Sequence, residues 1–487
     1  MKRKREIVSL VFLTVFSFGF PFDLFAQIKV PQTPSFNNQQ YGNSPVYSYG
    51  TKQGATANDV IRQTYNFTPG PVYTPGMTQQ EIHQANMIFI RNQMMNDPSY
   101  NYALRENKQQ QELNAILKEI REEEKNLPVS ENYNSESFLS KTKSYHNALH
   151  QLKNMLEGKQ KISVAAAYFE MESAYGSSYL TKKEYESIIK ESADFIKKWL
   201  AQNGYDLKSN EALHLGIQKF MGDTLTITSV TVDKTGTLTT THFPFSYDFE
   251  DFKAEKDFRN YFLTKSLATG SGQCNSLPAI YNVLTEALGA KSYLTFTPHH
   301  SFIKYPGDDG KTHNYEPTSN WNISDEWYMD HFFINPRAVQ SRIYFDTLNQ
   351  QQMVANCVID LAHGYLEKFG AADGKFIFEC LKTALPYFPK QNHITAYFIY
   401  SSTLARLLDR ELKKNNITQF KDISKSPEAE KLYAELMRNE QDIKNLGYQE
   451  IPEQLYEQMM QQHEFKGNRQ KSTGFNGKEK RSLFTTR

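Results

Sequence analysis

The sequence predicts an α+β fold in which two helical regions flank a central segment that contains a sheet. Apolar residues recur between Tyr185 and Leu200 at the spacing of one helix face. From Asp223 to Phe245 the pattern changes to short apolar runs rich in Thr, which is typical of strands. Helical spacing returns between residues 353 and 460. We therefore expect a helical layer, a central antiparallel sheet and a second helical region.

The first 26 residues have the pattern of a secretory signal peptide. A basic segment, Lys2 to Arg5, precedes an apolar one, Ile7 to Phe20, and Ala26 supplies a small residue at the expected cleavage position. The apolar stretch is short for a membrane span, although an uncleaved anchor is the alternative. Cleavage near Ala26 predicts an exported chain, periplasmic or secreted. No later segment approaches about 18 consecutive apolar residues, so we predict no membrane span in the mature chain.

Composition divides the rest of the chain. Residues 27–104 are rich in Pro, Asn, Gln and Tyr, and residues 463–487 are basic without apolar periodicity, so both are predicted to be disordered. Between them we expect a helical region at 105–222, a core at 223–345 and a helical region at 346–462. The chain has 55 basic and 54 acidic side chains, and this balance argues against a nucleic-acid-binding protein.

The segment Asp233 to Thr239 matches the phosphorylation motif of P-type ATPases letter for letter. Those pumps need many membrane helices and a downstream magnesium-binding segment, and the sequence contains neither. Asp-Lys-Thr-Gly between two Thr-rich runs is also a common tight turn. We therefore interpret Asp233 to Gly236 as the turn of a hairpin.

A Gly-rich run leads into Cys274, and an apolar helix is predicted directly after it. Pro278 is tolerated only in the first turn of a helix, so this helix must begin near Cys274. A thiol at a helix N-terminus lies at the positive end of the helix dipole, which favours the nucleophilic thiolate. Unpaired N–H groups there can also stabilise an oxyanion. Leu288-Gly289 is the predicted end of the helix.

Two strands are predicted after this helix, and they carry a histidine and an acid. His300 begins the first strand, residues 306–310 form a turn, and Glu316 lies on the second strand. If the turn pairs Tyr305 with Lys311, His300 faces Glu316 directly. A carboxylate in that position would orient the imidazole, as a catalytic triad requires. This facing depends on the register of the hairpin.

These residues resemble the core of the transglutaminase-like superfamily. In that family a Cys begins a helix that ends in Leu-Gly, a His follows on a strand, and an Asp followed by Pro-Thr comes later. The matching positions here are Cys274, His300 and Glu316, with Pro317-Thr318 after the acid. The sequence departs from the family by Glu for Asp and by Phe302 where Trp is usual. The resemblance covers some 70 residues and implies a transglutaminase-like core, a catalytic helix packed on an antiparallel sheet.

The resemblance also implies roles for the site residues. Cys274 would attack a carbonyl, His300 would activate the thiol, and Glu316 would orient His300. The backbone N–H of Cys274, with the side chain of Gln273, would stabilise the oxyanion. Several alternatives stay open, namely an inert buried Cys274, His299 in place of His300, Asn314 as the orienting group, and a metal site that includes His313.

The second helical region contains one unit that resembles a tetratricopeptide repeat, with an ordinary helical hairpin as the alternative. Cys357 and Cys380 lie on its successive predicted helices. They either form a disulfide or remain two buried thiols. In both cases we expect them to be structural and Cys274 to be the free, reactive thiol.

The expected function is that of an exported cysteine enzyme that hydrolyses or transfers acyl groups of amide or peptide-like bonds. We expect a peptide or protein substrate, a protein partner at the C-terminal helices, no cofactor, no metal and no nucleic acid. The alternative is a catalytically inactive scaffold or protein-binding module of the cell envelope, because folds of this kind can lose activity and keep their shape.

Overall fold

The computed structural model describes residues 78, 98–125, 133–176, 178–230, 236–451 and 482–486. The predicted signal peptide, most of the predicted disordered segment 27–104 and residues 463–481 of the predicted tail lie outside this range. All elements from residue 115 onward belong to one compact unit. Among the described residues, no helix is long and apolar enough to cross a membrane.

In the described part of the chain, five helices precede the first sheet. The helix after Thr181 begins with a capping box, in which Thr181 and Glu184 cap each other's backbone N–H groups. The first of the described helices begins at Pro98, so the prediction of disorder is wrong for residues 98–104; proline suits the first turn of a helix. The helices are α1 (Pro98–Glu124), α2 (Glu136–Leu156), α3 (Val164–Tyr175), α4 (Lys182–Gln202) and α5 (Asn210–Gly222).

The predicted Thr-rich hairpin is present. Strands β1 (Leu225–Val230) and β2 (Thr237–His242) are antiparallel, with Val230 opposite Thr237. The predicted turn falls mainly on residues 231–235, outside the described part. The same sheet has a third strand, β8 (Phe484–Thr486), paired with β2. The prediction of a disordered tail is therefore wrong for residues 482–486, where Leu483 is buried in the core.

The central segment places a short helix, α6 (Leu263–Thr269), before the predicted catalytic helix, α7 (Ser276–Leu288). The two-residue strands β3 (Ser246–Tyr247) and β4 (Ser271–Gly272) pair in parallel and hold the chain that enters α7. Nearly the whole of α7 is buried, as its apolar composition predicts. A sheet of three antiparallel strands follows, β5 (Tyr293–Thr297), β6 (His300–Pro306) and β7 (Thr312–Tyr315).

The register of the β6–β7 hairpin differs from the prediction by two residues. Tyr305 pairs with His313, not with Lys311. The loop still has five residues, but it runs from 307 to 311, where the Gly307 N–H donates to the carbonyl of Lys311 at 2.7 Å. A shift of two residues keeps every side chain on its predicted face, whereas a shift of one would have reversed them.

Among the residues that the structure describes, six helices follow the sheet of β5, β6 and β7. Two of them, α10 and α11, form the predicted hairpin, and α10 also packs on α2 and α3. One hydrophobic core therefore includes residues from both helical regions and from α7. The helices are α8 (Asp325–His331), α9 (Pro336–Gln340), α10 (Gln350–Phe369), α11 (Lys375–Ala384), α12 (Ile394–Lys414) and α13 (Pro427–Leu446).

Two buried or half-buried carboxylates hold the N-termini of neighbouring helices. Glu286 of α7 accepts the backbone N–H groups of Val164 and Ala165 at the start of α3, at 3.0 and 2.9 Å. Glu172, which lies on α3, accepts the N–H groups of Leu263 and Thr264 at the start of α6, at 2.6 and 2.9 Å. Carboxylates stabilise these positions because helix N-termini carry unpaired donors and partial positive charge.

Candidate active site

Cys274 lies between β4 and α7, two residues before the first residue of the helix. The prediction that the helix begins near Cys274 is thus confirmed, and Pro278 lies in its first turn. Gly272 has no room for a side chain, since a Cβ atom there would lie 2.6 Å from Ser266 Oγ and 2.7 Å from Ser276 Oγ. The Ser301 hydroxyl donates to the carbonyl of Cys274 at 2.5 Å. These contacts fix the backbone that carries the half-buried thiol.

The hairpin brings His300 to Glu316. His300 Nε2 lies 2.5 Å from Glu316 Oε2, and both side chains are largely buried. The interaction spans a diagonal, because the residue-by-residue pairing of the strands ends at Ile303 and Tyr315. Cys274 and His300 line one cavity, and the Cys274 thiol is near enough to help raise the pKa of the His300 imidazole. Cys274, His300 and Glu316 therefore lie next to one another, as the members of a triad would.

Glu316 accepts hydrogen bonds at both carboxylate oxygens. Oε2 accepts from the Tyr328 hydroxyl at 2.5 Å as well as from His300. Oε1 accepts from the backbone N–H of Thr318 at 3.0 Å and from its hydroxyl at 2.7 Å. Phe332 stacks on the imidazole of His300, with ring centroids 5.8 Å apart. The carboxylate and the ring are thus held from several sides.

His300 and Glu316 stabilise each other's charged form. Burial by itself would lower the pKa of His300, but the Glu316 carboxylate and the Cys274 thiol outweigh it and raise that pKa. Burial would raise the pKa of Glu316, but His300, Tyr328 and Thr318 hold it below its ordinary value. An imidazolium beside a carboxylate is therefore the favoured state near neutral pH.

His299 has a different environment from His300. Its backbone is in the left-handed region, with φ of 54°, and its carbonyl accepts the Cys274 S–H with a sulfur-to-oxygen distance of 3.7 Å. Burial and the nearby Lys253 lower the pKa of its imidazole to about 4. His299 therefore lies beside the thiol as a neutral residue, and the contact with Glu316 belongs to His300.

The remaining predicted site residues lie apart from this pair. The side chain of Gln273 is fully buried, and its amide donates to the carbonyl of Asp251, so it is not directed at the thiol. Asn314 donates to the carbonyl of Ile323 and to Asp325 Oδ1, both at 2.8 Å. The orienting contact to His300 therefore comes from Glu316 and not from Asn314.

His313, an element of the metal alternative, points at the hairpin loop, where its Nε2 lies 3.3 Å from Asp309 Oδ1. Within the described residues, no group of three or more His, Cys, Asp or Glu side chains is arranged to hold a metal ion. The geometry around His300 and Glu316 is that of a hydrogen-bonded pair, in which each of the carboxylate oxygens has protein donors.

Cys274, His299 and His300 line a cavity of about 440 Å³ that extends toward the helices. One wall is a polar stripe on α10, with side chains at spacings of four, three and four residues that lie on one helix face. Burial raises the pKa of Asp360, a member of this stripe, to about 7. The stripe consists of Asn356, Asp360, His363 and Glu367.

Sequence reasoning missed several residues of the site. Tyr328 reaches Glu316 from α8, and His393 lines the cavity from the start of α12. Neither lies in a motif, and each arrives by packing of a distant helix. In the sequence, Thr318 stands out only as part of the Pro-Thr pair that follows Glu316. In the structure, its backbone N–H and its hydroxyl both donate to Glu316 Oε1.

No family model, no curated protein and no solved structure matches this chain.

Proposed function

We propose that this protein is a cysteine-dependent enzyme that cleaves or transfers acyl groups of amide or peptide-like bonds, on a transglutaminase-like core. The observation that supports this proposal most directly is the short contact of 2.5 Å between His300 Nε2 and Glu316 Oε2, beside Cys274 in a cavity. The signal peptide predicted from residues 1–26 would place the reaction outside the cytoplasm.

In the first step the Cys274 thiolate attacks the carbonyl carbon of the bound amide. The carbonyl oxygen becomes an oxyanion, and the backbone N–H of Cys274 together with the positive end of α7 stabilises it. The protonated His300 then gives its proton to the nitrogen of the leaving amine, and the C–N bond breaks. The products are a free amine and a thioester at Cys274.

In the second step His300, now neutral, removes a proton from the acceptor. Water as acceptor gives a carboxylic acid, and an amine gives a new amide, with Cys274 as the leaving group in both cases. Glu316 stays ionised throughout and holds the imidazole in one orientation, as the acidic member of a catalytic triad does.

The test is selective alkylation of Cys274 by iodoacetamide. A reference thiol, with a pKa of about 8.5, is less than about 1% thiolate at pH 6. We expect Cys274 to react at pH 6 at least about tenfold faster than this reference thiol, because His300 would activate it as the base of the proposed triad. His300→Ala should slow the reaction at pH 6 by about tenfold or more, and Glu316→Ala should have an intermediate effect.

A matched control is His299→Asn, since Asn tolerates the left-handed backbone of residue 299. This variant should change the rate little. If native Cys274 were not alkylated at any pH, and if His300→Ala had no effect, the enzyme proposal would fail. The inactive scaffold would then be the better account of this cavity.

A further inference from the structure

His393 occupies the N-cap position of α12 but does not cap the helix with its side chain. Its backbone carbonyl accepts the N–H of Ala396 at 3.0 Å, so the helix begins normally. His393 is one of the residues that line the cavity containing Cys274. Its side chain therefore belongs to the environment that a bound molecule would meet.

Both ring nitrogens of His393 are buried, and neither has a hydrogen-bond partner in the described part of the chain. Only 6% of the residue is exposed. Its neighbours are aromatic, with the Phe388 ring centroid at 4.6 Å and that of Phe296 at 5.5 Å. Buried polar groups are almost always paired, so two unpaired nitrogens on one ring require an explanation.

The protonation state of His393 defines what would pair with it. Burial lowers the pKa of this imidazole to about 3. The ring is therefore neutral at physiological pH and offers one N–H donor and one nitrogen acceptor. A peptide chain carries both kinds of partner, carbonyl acceptors and N–H donors, on its successive peptide groups. A single anion or cation supplies only one of them.

The position of this ring relates it to the candidate catalytic residues. Phe296, which contacts His393, is followed in β5 by Thr297, and Thr297 pairs with His300 across the sheet. Phe296, the neighbour of His393, is therefore adjacent in the chain to Thr297, which lies opposite His300 in the sheet. A peptide whose reacting carbonyl lies at Cys274 would extend along this part of the cavity.

We propose that His393 is a specificity-determining residue that hydrogen-bonds peptide groups of the substrate, beside an aromatic subsite formed by Phe296 and Phe388. The assignment rests on the proposed function, because it names the substrate class of the same cavity. The substrate is a peptide with an apolar or aromatic side chain next to the reacting amide. This subsite would select peptides over small primary amides.

The first experiment measures binding without the reaction. In the Cys274→Ala background, benzyloxycarbonyl-Phe-Ala-amide is titrated by isothermal calorimetry. His393→Phe, which keeps a ring but removes both nitrogens, should weaken binding about fivefold to tenfold. His393→Gln, which restores a donor and an acceptor, should bind within about twofold of the parent. A matched control, His150→Phe, makes the same change at an exposed position on α2 and should have no effect.

The second experiment uses the intact thiol. The Cys274 thiolate attacks the terminal carbon of benzyloxycarbonyl-Phe-Ala-fluoromethylketone, a C–S bond forms, and fluoride leaves. The rate is divided by the rate with iodoacetamide, a reagent that lacks the peptide part and its aromatic side chain. This ratio should fall about fivefold or more in His393→Phe and recover in His393→Gln.

The outcomes separate the two proposals. Absence of alkylation by either reagent, with peptide binding that depends on His393, would overturn the enzyme proposal alone. Equal peptide binding by the parent and His393→Phe, or no binding by either, would overturn the role of His393. That role is also overturned if both alkylation rates fall in parallel, since a parallel fall indicates a general structural effect.

Discussion

The hydroxyl of Tyr328 donates to the same carboxylate oxygen of Glu316 that accepts from His300, and both contacts are 2.5 Å long. Tyr328 is buried, and burial together with the Glu316 carboxylate raises the pKa of its phenol, so the hydroxyl remains a donor. Helix α8 thereby takes part in fixing the acid of the candidate triad.

Tyr328→Phe removes this donor and leaves the ring in place. We expect a loss of about 2 kcal/mol in unfolding free energy, the usual cost for a hydrogen bond to a charged group. With one donor fewer, the pKa of Glu316 should rise, so the acid side of the Cys274 alkylation profile should move to higher pH. Urea unfolding and iodoacetamide kinetics between pH 4 and 8 provide the two measurements.

The matched control for this change is Tyr185→Phe, since the Tyr185 hydroxyl donates to the carbonyl of Ala165 at 2.9 Å, away from Glu316. This variant should lose about 1 kcal/mol of stability and keep the alkylation profile. Equal shifts of the profile in both variants would contradict a specific role for Tyr328.

Glu316→Gln should destabilise the protein in a pH-dependent way. The raised pKa of His300 contributes stability that is complete below pH 6.5, its ordinary pKa, and is lost as pH rises through the raised value. The lowered pKa of Glu316 contributes stability that is complete above pH 4.5 and is lost as pH falls through the lowered value. The difference from wild type should therefore be largest between pH 4.5 and 6.5.

In that interval we expect Glu316→Gln to cost about 3 kcal/mol, because a buried imidazolium loses its counter-charge. Urea unfolding at pH 5.5 and pH 9 measures the effect, with a smaller difference at pH 9. Asp194→Asn is the comparison, since it breaks the exposed ion pair with Lys190 and should change stability little at either pH. A pH-independent cost for Glu316→Gln would argue against the charged pair.

The three thiols should differ in reactivity. All three are free, but Cys357 and Cys380 are completely buried, and burial raises the pKa of both. We expect one thiol per chain to react rapidly with iodoacetamide in the native state and three after unfolding in urea. Peptide mass spectrometry should identify the rapid one as Cys274. A rapid thiol that persists in Cys274→Ala would disprove this assignment.

Leu483→Ala should destabilise the folded state by about 3 kcal/mol, because a buried leucine is lost from the core beneath β2. The Leu483 carbonyl also accepts the N–H of Phe243 at 3.2 Å. Thr485→Ala, at an exposed position of β8, should change the urea midpoint little. Equal stability of Leu483→Ala and wild type would mean that residues 482–486 contribute nothing to the core in solution.

Local patterns in the sequence predicted the parts of the site that depend on local chemistry. Pro278 predicted the start of α7, and the hairpin predicted that His300 and Glu316 share a face. The register was wrong by two residues because residues 306–311 allow two placements of a five-residue loop. The prediction that His300 and Glu316 share a face of the sheet was still correct, because side chains alternate with a period of two.

The remaining parts depend on packing between distant segments. By spacing alone, either Asn314 or Glu316 could contact His300. The side chain of Asn314 instead donates a hydrogen bond to Asp325 of α8. Tyr328 and His393 have no motif around them, and β8 is too short to give a periodic signal. Such contacts are not visible in a local window of sequence.

The carboxylate caps at Glu286 and Glu172 have a mechanical consequence for substrate entry. They join α7 to α3 and α3 to α6, so the three helices around Cys274 resist independent movement as a linked block. Residues 252–255 line the same cavity without belonging to any helix or strand. A peptide that needs more room is therefore expected to displace this loop before the helices that hold the thiol.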